Sequence, residues 1–191
     1  MSWPLFAAGA ALAWNSRGLD EKTLAAVLNR DVFEDACGKV AQAALKLGLA
    51  HQKLGVKAVN ETPLGTVIAA PKPEDRELFC RNGLKWFSKI PAKKIRAALA
   101  EIEKQRKALR SATQQGSMPA KELDLAARMA AESCHFMLWQ QAVAAGKKQE
   151  AKRLAQRGIR ELKKLEQDFA AYWPSRNKAT PKHCTPFLKW R

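Results

Sequence analysis

Two long stretches, Pro119 to Ala145 and Lys147 to Trp173, repeat one helical face at alternating spacings of four and three. In the first, that face is Leu123, Ala127, Ala130, Cys134, Met137 and Gln141. In the second, it is Leu154, Gly158, Leu162, Leu165, Phe169 and Tyr172. Apolar residues at this period mark amphipathic helices. Pro119 suits a first helical position, where its missing N–H is not needed. Gly146 between them suits a left-handed cap and a tight reversal. Two apolar faces on so short a link predict antiparallel neighbours. A third helix is expected over Pro91 to Gln114, with Ile95, Leu99, Ile102 and Leu109 inward and Glu101, Glu103, Lys104 and Lys107 outward.

Upstream the elements are shorter. Asp20 to Asn29 predicts a helix capped by Asp20 or Ser16, with Leu24, Val27 and Leu28 buried. Asp35 to Leu54 predicts a longer one, with Val40, Ala44, Leu47 and His51 on one side and Gly55 as its stop. Asn60 to Pro73 reads as a loop with one helical turn, and Glu74 to Lys89 as helix in pieces broken near Asn82-Gly83. Beyond Trp173, Pro174, Pro181 and Pro186 keep the tail irregular. The fold class is therefore all-α: a helical bundle with three long antiparallel C-terminal helices.

The start differs. Trp3 to Asn15 is a nearly continuous apolar and small-residue run without charge. Such a run is a buried strand or a buried helix, and periodicity does not separate them. It has the look of an element belonging to a larger core. The expected organisation is a 1–15 apolar segment, left from an upstream domain, and a 16–191 helical domain. The run is too short to span a bilayer and lacks a basic leading region. No membrane partner is expected.

Composition adds charge to this picture. Thirty-four basic and 18 acidic residues leave a net charge of +16. Such a balance permits nucleic acid, anionic lipid or an acidic protein as partner, or serves solubility alone. Arg153, Arg157, Arg160 and Lys164 form one stripe of the last helix. It reads as a phosphate-tracking ridge or as a solvated face opposite a buried one. The stripe itself holds no aromatic or amide, and no nucleic-acid motif occurs, so the solvated face is preferred. A basic helical nucleic-acid-binding module stays as the alternative.

Candidate chemistry is sparse. Cys134, His135, His183 and Cys184 could supply four metal ligands, but adjacent residues on a helix point about 100° apart and structural zinc prefers wider spacing. No metal or cofactor is expected. The absence of CxxC and the scattered cysteines suit a reduced interior, which makes a soluble, cytoplasmic protein the expectation over a secreted one. Glu34-Asp35 and Glu74-Asp75 stand at predicted helix starts, where capping is the expected role. Trp14 followed by Asn15 could wall a sugar pocket, since indoles stack on pyranose faces, or Trp14 could be a core residue.

Three segments carry a family resemblance. Trp3-Pro4-Leu5-Phe6-Ala7-Ala8-Gly9-Ala10-Ala11-Leu12-Ala13-Trp14-Asn15 resembles the last barrel strand of bacterial glycoside hydrolase family 20 proteins, the β-N-acetylhexosaminidase type. Leu28-Asn29-Arg30-Asp31-Val32-Phe33 is similar to the stretch that follows that strand, with Asp31 where the family has histidine. Tyr172-Trp173-Pro174-Ser175-Arg176-Asn177-Lys178 is similar to the segment closing the C-terminal helical region, with the departure that Pro174 follows the tryptophan, which alters only the helix stop.

The resemblance implies an upstream (β/α)₈ barrel whose Asp-Glu pair works with the substrate's own acetamido group, an exception to the two-carboxylate scheme. That pair lies outside this chain, so no catalytic residue is assigned here. Barrel enzymes bind substrate at the C-terminal ends of their strands. Trp14 and Asn15 are the substrate contacts this implies. The implied function is the C-terminal structural domain of a hydrolase acting on terminal N-acetylhexosamine residues, inactive alone. Its expected partners are the barrel of the same polypeptide, the carbohydrate substrate of the full-length protein, and a second copy covering the apolar run as a homodimer.

Overall fold

A computed structural model describes residues 3–14, 19–56, 62–65, 90–112 and 118–175. Among these the regular structure is all helical, with no strand. The elements are α1 (Trp3–Trp14), α2 (Glu21–Leu28), a π-helical turn (Asn29–Phe33), α3 (Val40–Leu49), a 3₁₀ turn (Ala50–Leu54), α4 (Ala92–Arg110), α5 (Met118–Ala144), α6 (Lys148–Tyr172) and a closing 3₁₀ turn (Trp173–Ser175). A helical turn also forms at 63–65. The pieces expected over Glu74 to Lys89 and the tail beyond Ser175 lie outside the described residues.

The opening run is a helix, which corrects the strand that the resemblance implies. Five of its twelve residues are alanine and none is β-branched. Alanine loses no side-chain entropy in a helix, and nothing in the run favours an extended chain.

The chain divides into two compact units: Met1–Leu49 with Glu103–Asp124, and Ala50–Ile102 with Leu125–Arg191. The core of the first gathers Ala25, Leu28, Phe33, Val40, Ala41, Ala43, Leu109, Ala112 and Leu123, with Ala7 of α1 packed against it. The second buries Leu54, Leu64, Ile95, Ile102, Met137 and Leu165 almost completely. Both cores rest on small and aliphatic residues at helical spacing, as the sequence pattern requires.

The three long helices run antiparallel. In the second unit, Arg128 on α5 pairs with Asp168 on α6, and Glu132 pairs with Arg157, so partners on α6 fall as positions on α5 rise. For α4 and α5, Arg106 Nε reaches Asp124 at 3.1 Å, and the Gln141 amide donates to the Ile90 carbonyl at 2.7 Å. Gly146 reverses the chain between α5 and α6 with φ +68°. The Gly146 N–H donates to Val143 O at 3.0 Å and the Lys147 N–H to Ala142 O at 2.9 Å. That pair of bonds is a Schellman cap, which satisfies the last carbonyls of α5.

Candidate functional site

The segment from Leu28 to Val40 is the most elaborated backbone of the first unit. Asp20 caps α2 by accepting from the Thr23 N–H at 2.6 Å, which lowers its carboxyl below the usual range. At the far end the helix widens into the π turn, where the Glu34 and Asp35 N–H groups both donate to the Asn29 carbonyl. Glu34 ends the turn in the left-handed region at φ 50°. Asp35 then caps α3: one oxygen accepts from Cys37 N–H at 3.1 Å, the other from Lys39 and Val40 N–H at 2.6 and 2.9 Å. Asn29 Oδ1 accepts from Ala41 N–H at 2.8 Å and locks the turn onto α3. Capping, the role expected for the Glu34-Asp35 pair, is what Asp35 performs.

An open groove of about 620 Å³ lies along this turn, lined by Lys22, Ala25, Ala26, Asn29, Arg30, Glu34, Asp35, Ala36, Gly38 and Gln42. Its buried polar groups are committed to backbone amides. Arg30, exposed, holds its neighbour Asp31 at 2.6 Å. Its exposed charged groups are Lys22, Arg30 and Glu34.

The second polar constellation is the seam between α5 and α6, in the second unit. Arg128 Nη1 donates to Asp168 at 2.5 Å, and Arg157 Nη2 to Glu132 at 3.0 Å. A Cβ added at Gly158 would stand 3.9 Å from Glu132 Oε2, an ordinary contact distance, so α6 passes close to that carboxylate. Ser133 Oγ donates to Leu64 O at 2.6 Å. Burial pushes the Cys134 thiol up to about 12, and the Glu132 carboxylate adds to the effect. A thiol held neutral in this way is no nucleophile at neutral pH. Burial, then the Arg157 and Arg153 guanidiniums, lower the His135 imidazole to about 4. Its Nδ1 is buried and has no hydrogen-bond partner among the described residues.

Only some of the residues singled out in the sequence are among the described ones. Trp14 closes α1, while its indole and the whole of Asn15 lie outside the described residues, as do His183, Cys184 and Glu74-Asp75. Among the described residues no group of three His, Cys, Asp or Glu could hold a metal ion, and no helix is long and apolar enough to cross a membrane. Of the basic stripe, Arg153, Arg160 and Lys164 are exposed, but Arg157 turns inward to Glu132. Sequence reasoning missed that ion pair. Its signal was Arg128 and Glu132 standing four apart beside Ala127 and Ala131, on the border of the apolar face. No family model, curated protein or solved structure matches the chain.

Proposed function

We propose that this chain is the C-terminal helical support of a family 20-like glycoside hydrolase, of the β-N-acetylhexosaminidase type, and has no hydrolytic activity alone. The observation that carries the reading is α1. It bears no charge over twelve residues. One side reaches the first unit's core through Ala7, while Gly9, Ala10, Leu12 and Ala13 are exposed, Leu12 by 47%. An uncharged helix with such an outer side suits a segment made to lie against a further apolar surface. In this reading that surface belongs to the catalytic barrel of the same polypeptide, and a second copy covers it when the barrel is missing. The identity of the barrel rests on the two later resembling segments, Leu28 to Phe33 and Tyr172 to Lys178, in family order; the first, a helix here, does not carry it. The Asp35 and Asn29 caps of the groove and the ion pairs of the seam suit a buttress, because these polar groups already serve the fold.

Incubating the purified chain with an aryl N-acetyl-β-glucosaminide tests the claim of inactivity. No release of the aryl group above buffer is expected. Turnover that survives repurification would defeat the reading.

A further inference from the structure

The outward side of α6 is broader and cleaner than its sequence stripe. Lys152, Arg153, Arg160, Lys163 and Lys164 are all exposed. At about 100° per residue they fill an arc of about 120° over about 18 Å of helix. Gln149, Gln156 and Gln167 are exposed within the same arc. The four acids of α6, Glu150, Glu161, Glu166 and Asp168, are half-buried outside it. Five cations interleaved with three amides, and no carboxylate among them, make a face of one sign. Solvation alone does not ask for that: mixed charge solvates a helix as well and avoids the mutual repulsion.

We infer that this face of α6 docks on the phosphate backbone of a nucleic-acid duplex. This stands whether or not the hydrolase reading holds. Duplex DNA carries one negative charge per roughly 1.7 Å of axis, both strands counted, so a stretch of this length holds about ten phosphates, of which those on the near side meet the ridge. Lysine and arginine neutralise phosphates, and glutamine amides donate to phosphate oxygens. A single strand fits less well, since unpaired bases need aromatic platforms. The aromatics of this end, Phe169, Tyr172 and Trp173, are half-buried and packed on one another, with Phe169 and Trp173 centroids 5.2 Å apart. A membrane surface fits less well too. Interfacial helices insert an apolar face, and α6 turns Leu154 and Leu165 into the core, leaving Ile159 as its one exposed large apolar residue.

The test is fluorescence anisotropy of the full chain with a labelled generic duplex at several salt concentrations, against the variant K152Q/R160Q/K163Q/K164Q. All four positions are exposed, and thermal melting by circular dichroism checks that the variant folds. The expected result is micromolar binding at low salt with a log–log salt slope of about −4, falling to about −1 in the variant. At 100 mM salt the variant should bind at least 30-fold more weakly, a conservative figure from the same counterion-release relation. Three outcomes would overturn the inference: no binding at 50 mM salt, equal binding by a folded variant, or tighter binding to polyglutamate or phosphatidylserine vesicles than to duplex.

Discussion

Arg157 Nη2 donates to Glu132 Oε1 at 3.0 Å across the α5–α6 hairpin, and the Glu132 side chain keeps only 7% of its surface. The pair shares its seam with Arg128 and Asp168, and a Cβ at Gly158 would stand in ordinary contact with the Glu132 carboxylate, 3.9 Å from Oε2. Removing Glu132 leaves a partly buried guanidinium without this carboxylate. Breaking buried pairs commonly costs 3–5 kcal/mol, and the guanidinium's one-third exposure should reduce Glu132→Ala to about 2 kcal/mol. Urea unfolding measures it. The double variant E132L/R157M should recover most of that loss, because an apolar pair needs no desolvation of charge.

His135 gives the seam a pH dependence. Its imidazole titrates near 4 in the folded chain against 6.5 in the unfolded one. Between those values the unfolded state binds more protons, so stability falls as pH drops from about 6.5 toward 4. Below the lower value the difference no longer grows. Thermal melts of the parent and His135→Gln across pH 7.5 to 4.5 should show a steeper decline in the parent. Parallel curves would mean that the imidazole is not held neutral.

Two turn positions should respond in opposite directions. Gly146→Ala meets no atom within 4 Å, so its cost is that of φ +68° for an L residue, about 1 kcal/mol. Glu34→Gly should stabilise by roughly half a kcal/mol, because relief of left-handed strain exceeds the extra freedom of the unfolded chain. Chemical denaturation of both variants reads the two signs.

The outer side of α1 should promote self-association. Leu12→Asp puts a charge on a residue that is 47% exposed, so the fold should persist. Light scattering of concentrated samples should show a dimer for the parent and a monomer for the variant. A parent that stays monomeric at high concentration contradicts the idea that this side needs a cover.

How much of this was legible depended on what each residue does locally. Ile95, Ile102, Met137, Leu154 and Leu165 are buried where the helical period puts them. Gly146 and Asp20 are caps that their residue types announce. Elsewhere α5 is wider than one face, with Ala131, Glu132, Ser133 and Cys134 buried in succession. A single-face period cannot reveal that, because the neighbours of Glu132 and Ser133 come from Arg157 and Leu64, far along the chain. The π turn was hidden for the same reason: Asn29 widens the helix to reach Ala41 twelve residues away. The opening run was ambiguous because it has no polar residue to set a period. Alanine decided it. The amides at Gln149, Gln156 and Gln167 lie on positions flanking the stripe that the sequence pattern marked, and the exposed face joins them to it.

The claim that this chain supports a hydrolase barrel is tested most directly by sequencing the transcript that encodes it through the region before the Met1 codon. An in-frame (β/α)₈ domain ending at α1, with an Asp-Glu pair on one of its strands, is the expected result. A stop codon in frame immediately ahead of Met1, with no barrel encoded, would contradict it.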